Sequence, residues 1–170
     1  MSELRPVEPL DAKRHLTDEF DCGQPNLNRW LRAYAGQSQR RDVARTFVVA
    51  DSESRVVGYY TLVAAEVEHD TASPSVRAGV SRHFPIPACL IARLAVDVRW
   101  QGRGLGRDLL RDAMRRALAA SDQIGIRAVV VDAIDDAAAG FYRRHGFESA
   151  TDNGLALMVP IAAVRSQLSR

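Results

Sequence analysis

The chain has 170 residues, 46% of them hydrophobic and 26% charged, with a formal net charge of +2. That length predicts one domain, residues 1–170, with enough apolar material for a core, and so small a charge excludes a protein that holds nucleic acid by bulk charge alone. There is no apolar run of transmembrane length, no signal peptide in the charged stretch Met1–His15, and only two distant cysteines, Cys22 and Cys89; these features predict a cytoplasmic protein with reduced thiols, no metal site and no membrane contact.

In chain order, Leu4–Leu10 reads as a short strand interrupted by Pro6 and Pro9. Phe20–Pro25 is a turn signal. The spacing of Leu27, Trp30, Leu31, Tyr34 and Ala35 then predicts an amphipathic helix over Asn26–Arg41, capped near Asn26, with its Trp-Leu-Tyr face in the core. Arg45–Ala50 and Arg55–Val67 are strand-like, and the polar turn Asp51–Ser54 joins them as a β-hairpin. Residues 68–88, with Pro74, Pro85 and Pro87, form a surface connection with a short turn of helix over Ser75–Arg82; long connections tend to carry function. Cys89–Val98 is a buried strand, Gln101–Gly106 a glycine turn, and Leu105, Leu109, Leu110, Ala113, Met114, Ala117 and Leu118 line one face of a helix. Arg127–Ala133 predicts a second buried strand, parallel to the first and reached by helix crossover. A short helix over Ala137–His145, strands within Thr151–Val159 turning at Asp152-Asn153-Gly154, and a last helix over Ile161–Leu168 complete the chain.

A strand, a glycine turn and a helix in succession make a phosphate-binding layout, because the turn frees backbone N–H groups and the helix dipole adds positive charge. Arg107 stands where a dinucleotide fingerprint needs its third glycine, and no Gly-Lys-Ser/Thr occurs. The pattern present is Gln101-x-x-Gly104-x-Gly106. Read from the residues alone, it serves either a phosphate or merely a tight strand-to-helix turn. Arginine supplies all but one of the 23 basic residues, which suits bidentate phosphate recognition and equally reflects genome composition.

With Leu94 and Val96 on the strand before it, this run resembles the cofactor motif of the GCN5-related N-acetyltransferases, the GNAT superfamily. Ala138-x-x-Phe141-Tyr142-x-x-x-Gly146-Phe147 is similar to the ending of that family, although Asp135 stands where the family often carries Asn. Phe20-Asp21-Cys22-Gly23, then Leu27, Trp30 and Leu31, resembles the amino-terminal half of the tRNA-acetylating toxins of bacterial type II toxin–antitoxin operons. The resemblance implies an α/β (α+β) GNAT fold: a mixed, mostly antiparallel sheet splayed between two central parallel strands, Leu90–Val98 and Ala128–Ala133, and flanked by helices. It implies acetyl-CoA as cofactor, held by Leu94, Ala95, Val96, Gln101, Gly102, Arg103, Gly104, Leu105, Gly106, Arg107, Asp132, Asp135, Phe141 and Tyr142, with its pantetheine amides pairing with strand backbone. A homodimer and a neutralising antitoxin encoded beside it are implied as well.

Acyl transfer from a thioester to an amine needs a neutral amine, a polarised carbonyl and a proton for the departing thiolate. The Val96 N–H is the candidate for the carbonyl oxygen and Tyr142 the candidate acid; alternatively Tyr142 only packs and bonds the cofactor. An α-amine titrates at about 7.7–8.0, against about 10.4 for lysine, so an aminoacyl-tRNA acceptor needs no strong base. Glu66 and Glu68 are either strand-face carboxylates or bases acting through water. Arg40, Arg41, Arg45, Arg77, Arg82 and Arg93 are the candidate tRNA-binding residues. The stripe Arg103, Arg107, Arg111 and Arg115, interleaved with Asp108 and Asp112, reads as a solvated face. The expected function is acetylation of the α-amine of aminoacyl-tRNA, which blocks translation. Alternatives are acetylation of a small amine or a protein N-terminus, and a non-catalytic acetyl-CoA or RNA-binding module.

Overall fold

The computed structural model describes residues 3–150 and 153–170; Thr151 and Asp152 of the expected final turn lie outside the described residues. The strands are β1 (Glu8–Pro9), β2 (Arg45–Ala50), β3 (Val56–Val67), β4 (Ile86–Val96), β5 (Ala128–Asp132), β6 (Glu148–Ser149) and β7 (Ala156–Pro160), and the helices α1 (Pro25–Ala33), α2 (Ala35–Arg40), α3 (Pro74–Arg77), α4 (Leu105–Ser121), α5 (Asp136–Arg144) and α6 (Ile161–Leu168). The strand order is β1-β2-β3-β4-β5-β7-β6. β4 and β5 run parallel and the sheet is otherwise mostly antiparallel, the mixed topology expected of the sequence. Two compact units make up the chain, Met1–Val63 with Ala92–Ala113 and Ala64–Ile91 with Met114–Arg170.

In the first unit, β2 and β3 pair from Arg45 opposite Leu62 to Ala50 opposite Val56, with a register shift between Val49 and Ala50. Val56–Thr61 is buried throughout, so the sequence there shows no alternation. A Cβ on Gly58 would sit 2.9 Å from Leu109 Cδ1 of α4 and 3.1 Å from Val49 Cγ1, so a larger residue there requires those buried side chains to shift. Tyr59 centres the core, edge-on to Phe20 (5.5 Å), stacked with Trp30 (6.1 Å) and donating its hydroxyl to the Leu27 carbonyl (2.7 Å).

The single helix expected over Asn26–Arg41 is instead two, because Tyr34 leaves helical geometry at φ −123°. The break re-aims α2, so that the Gln39 amide donates to the Leu10 carbonyl (2.7 Å) and accepts from the Thr46 N–H (3.0 Å). Trp30 and Leu31 pack into the core, but Tyr34, turned away by the break, is 44% exposed. The start also moves: Pro25 occupies the first turn and Gln24 is the N-cap, with no side-chain bond. Asn28 of α1 instead braces the preceding turn, accepting from the Cys22 N–H (2.8 Å) and donating to Asp21 (3.0 Å).

Asp97, wholly buried, ends β4 and holds this turn. Its carboxylate accepts from the Asp21 N–H (3.1 Å), the Arg99 N–H (2.9 Å) and the Arg99 guanidinium (2.9 and 3.1 Å). This capping pulls Val98 into a 3-10 turn, which is why β4 stops at Val96 rather than Val98. Burial pushes the Asp97 carboxyl up, but the bonds from Arg99 and Asp21 outweigh it and hold it below the ordinary range. A depressed folded value means a stabilising contribution that is complete above about pH 4 and lost as pH falls through the folded pKa. Asp97→Ala strands buried donors, and we expect a loss of about 3 kcal/mol, roughly 10 °C in Tm at neutral pH, narrowing as the melt is repeated toward pH 3.

In the second unit, Ala88–Ile91 of β4 lie in parallel register with Ala128–Val131 of β5, which pairs in turn with β7 from Ala128 opposite Pro160 to Asp132 opposite Ala156. β4 begins three residues before the expected Cys89. Pro87 is tolerated because the strand contact it makes uses its carbonyl, which accepts from the Arg127 N–H (2.8 Å). The helical turn expected over Ser75–Arg82 is the shorter α3, held by Arg127, whose guanidinium donates to the carbonyls of Val76 and Ala78 (both 2.9 Å). α6 follows the predicted boundaries, burying Ile161 and Val164.

Candidate active site

The glycine loop belongs to the first unit. The Gln101 side-chain amide donates to the Val96 carbonyl (2.8 Å) and the Cys22 carbonyl (3.1 Å). It therefore braces the loop against the end of β4 and the Asp21–Gly23 turn. Gly102 and Gly104 take φ of +77° and +85°, a region that L side chains rarely enter. A Cβ on Gly104 would lie 3.1 Å from the Arg107 guanidinium. The first helical bond of α4 runs from the Asp108 N–H to the Gly104 carbonyl (3.1 Å), so the N–H groups of Leu105, Gly106 and Arg107 precede it at the positive end of a 17-residue helix. Leu105 is buried and anchors the turn, while Arg103 lies over the Trp100 ring (4.9 Å) and Arg107 is exposed, 3.5 Å from Asp108. Free N–H groups, positive φ and two flanking cations fit the pyrophosphate of acetyl-CoA. Leu94 and Val96 on β4 are half-buried and Ala95 is buried.

The second unit holds the remaining candidates. Tyr142 is buried, its ring edge-on to Phe141 (5.2 Å) and Phe147 (5.5 Å). Burial pushes its hydroxyl pKa up to about 12, so the phenol keeps its proton at neutral pH. Asp135 is the N-cap of α5 and accepts from the Ala138 N–H (2.8 Å), which gives the residue found in place of Asn a structural task. Asp132 stands exposed at the carboxyl end of β5. There it lines a cavity of about 400 Å³ with Glu66, Glu68, Thr71 and Asn153, over apolar side chains that include Leu90, Val130, Leu157 and Met158. Glu66, Glu68 and Asp132 stood out in the sequence one by one, but the cavity did not, because its lining comes from four separate segments.

The arginines expected to meet tRNA are spread over both units. Arg40 and Arg41 are exposed at the end of α2. Arg45 is partly committed, to Asp42 (2.6 Å) and the Gln39 carbonyl (2.7 Å). Arg93 lies 4.1 Å over the Trp30 ring, where desolvation lowers its pKa; 63 positions separate the pair, so no local pattern could reveal it. Arg77 donates to the Ala72 carbonyl (2.9 Å), whereas Arg82 is exposed beside a groove lined by His83 and Phe84. Arg111 and Arg115 are exposed, as the solvated-face reading of α4 expects.

Both cysteines are free and buried, and burial pushes the Cys89 thiol up to about 11. Among the described residues no three His, Cys, Asp or Glu side chains gather as a metal site, and no helix is long and apolar enough to cross a membrane.

Residues 44–149 match the acetyltransferase (GNAT) domain family. The chain is 39% identical over 160 residues to a tRNA-acetylating toxin of Mycobacterium tuberculosis, covering 91% of this chain and 95% of the relative. Among solved structures it is similar to AtaT complexed with acetyl-methionyl-tRNAfMet, with a TM-score of 0.89 and 29% identity over 98% of this chain and 99% of that one. It is also similar to a tyrosine-to-phenylalanine mutant of the AtaT toxin bound to the C-terminus of the antitoxin AtaR and acetyl-CoA, with a TM-score of 0.83 and 29% identity over 98% and 99% of the two chains.

Proposed function

Because the chain belongs to the GNAT acetyltransferase family, we propose that it is the toxin of a type II toxin–antitoxin pair, a single cytoplasmic domain that acetylates the α-amine of an aminoacyl-tRNA and so blocks translation. The observation that carries this reading is the similarity to a tRNA-acetylating toxin over 91% of this chain, which reaches well beyond the GNAT match at residues 44–149. The similarity to a toxin bound by an antitoxin supports an antitoxin partner here, and the family resemblance of the sequence supports a homodimer as the active form.

When bound, acetyl-CoA supplies an acetyl group activated as a thioester. The N–H groups at the start of α4, with Arg103 and Arg107, hold its phosphates, and Gln101 keeps that loop in place from behind. The Val96 N–H bonds the thioester carbonyl oxygen, favouring the charge that develops there. The Tyr142 hydroxyl gives the departing sulfur its proton. Burial keeps that hydroxyl protonated at neutral pH, so the proton is present to be given. The amine of an esterified amino acid has a neutral fraction near pH 7 sufficient for attack without a strong base. Arg40, Arg41, Arg45, Arg77, Arg82 and Arg93 supply cations for the RNA backbone, so catalysis at limiting tRNA weakens with salt.

The test is transfer of labelled acetyl from acetyl-CoA to aminoacylated bulk tRNA, beside uncharged tRNA and a panel of free amines. Label on charged tRNA alone is the expected result. Label on small amines with charged tRNA ignored would leave the acetyltransferase chemistry standing and remove the toxin reading.

A further inference from the structure

Arg32, Gly36 and Arg40 recur at four-residue spacing from the end of α1 along α2, and all three line one cleft of about 210 Å³ within the first unit. The glycine leaves a hollow between the two arginines. A Cβ on Gly36 would lie 3.3 Å from the Ala12 Cβ and 3.4 Å from the Arg40 guanidinium, so Arg40 lies along the space that the missing side chain opens. Thr17 and Gln37 add polar groups, and no Asp or Glu belongs to the lining. His15 is buried there, but its ring nitrogens are taken by Glu8 (2.6 Å) and the Asp11 N–H (2.9 Å), and Glu8 is paired in turn with Arg14 (2.8 Å).

The donors around this cleft are not used up within the protein. Arg32 gives one bond to the Phe20 carbonyl (3.1 Å), which fixes its fork, and Asp21 offsets part of its charge. The Gln37 amide is satisfied when its oxygen faces the Arg41 guanidinium (2.8 and 2.9 Å), which leaves its NH2 as a donor. Among the described residues the Arg40 guanidinium and the Thr17 hydroxyl have no hydrogen-bond partner. Donors so left over next to a hollow call for an acceptor from outside the chain. The cleft is smaller than the roughly 300 Å³ at which pockets for drug-sized ligands begin, so one small group fills it. Two guanidinium groups, a hydroxyl and an amide offer more donors than the two oxygens of a carboxylate engage. A phosphate presents oxygens in several directions and accepts from a guanidinium bidentately.

We propose that this cleft is a seat for one phosphate group, the chemistry common to an RNA backbone and to a free phosphate. It goes beyond the reading above, in which Arg40 is one cation among six: Arg32 and Thr17 join it, and the anion has a fixed place. The seat does not depend on acetyl transfer, so it stands or falls separately from the toxin reading.

The test titrates the full chain, saturated with coenzyme A so that the glycine loop is occupied, with inorganic phosphate at constant ionic strength, and follows backbone and arginine Nε resonances by NMR. The expected result is saturable shifts at Thr17, Gln37, Arg32 and Arg40 with an apparent Kd on the order of 1 mM. Arg40→Gln weakens the response at least about tenfold, and Thr17→Val about threefold with the net charge unchanged. Both positions reach the surface, so the fold tolerates the changes, and Arg111→Gln, on the exposed face of α4, has no effect. A second arm adds uncharged bulk tRNA. If the seat takes a backbone phosphate, tRNA abolishes the response to inorganic phosphate, and Arg40→Gln lowers the slope of log Kd for tRNA against log salt by about one. If it takes a free phosphate, the response persists with tRNA bound. Shifts that never saturate, or that Arg40→Gln and Arg111→Gln reduce equally while Thr17→Val leaves them unchanged, would overturn the assignment in favour of diffuse surface charge.

Discussion

Replacing Tyr142 by Phe lowers kcat by about 10²–10³-fold and leaves the affinity for acetyl-CoA within about twofold, a split that equilibrium binding of acetyl-CoA and single-turnover transfer measure separately. The ring packs edge-on against Phe141 and Phe147, and phenylalanine keeps that packing. What disappears is one hydroxyl, the proton source for the departing sulfur. The accompanying pH dependence has a definite sign. Burial pushes the hydroxyl up to about 12, so the protonated form persists through the alkaline range and is lost only as pH rises through that value. The wild-type rate should therefore climb as the acceptor amine deprotonates near about pH 8 and then level off, with no falling limb up to pH 10. A mutant that retains full kcat, or a wild-type profile that falls near pH 9, would take the acid role from Tyr142.

The second large effect falls on binding. Gly104→Val should raise KM for acetyl-CoA about a hundredfold with kcat at saturation changed little. Gly104 sits at φ +85°, where a β-branched residue is strained by about 1–2 kcal/mol, and its Cβ would also press on the Arg107 guanidinium at 3.1 Å. The loop relieves that strain by turning the Leu105, Gly106 and Arg107 N–H groups away from the phosphates, losing charge-assisted bonds worth about 1.5–3 kcal/mol each. Gly102→Ala is the contrast: φ is +77°, but a Cβ there meets nothing within 4 Å. It should weaken acetyl-CoA binding about tenfold, through backbone strain alone. Equal effects at both positions would show that backbone conformation alone governs the loop.

Part of this protein is written locally. The leucine and alanine spacing of α4 repeats within a few residues and marks the face that is buried, Leu105, Leu109, Leu110, Ala113, Met114 and Ala117. The hairpin of β2 and β3, the glycine loop and α6 are likewise set by neighbours in sequence, because a helix face, a turn φ or a strand run depends on few residues at short range. The motifs that led to the acetyltransferase family are of this kind.

Other features were decided by residues far apart in the chain. α1 and α2 part at Tyr34 because Gln39 must reach Leu10 and Thr46, a demand that helical periodicity does not carry. β4 ends at Val96 because the buried Asp97 is claimed by Asp21, 76 positions away. Gln101 reads from its spacing as part of a phosphate motif, yet its amide is spent on the carbonyls of Val96 and Cys22. Arg93 reads as a free cation and lies over Trp30. The cavity with Glu66, Glu68 and Asp132 on its rim exists only once β3, β4, β5 and β7 are assembled. Sequence by itself determined the elements and the cofactor loop, whose physics is local. Tertiary structure alone decided where those elements stop, which polar groups are already occupied and where a cavity opens, because each depends on burial and hydrogen-bond partners supplied from distant parts of the chain.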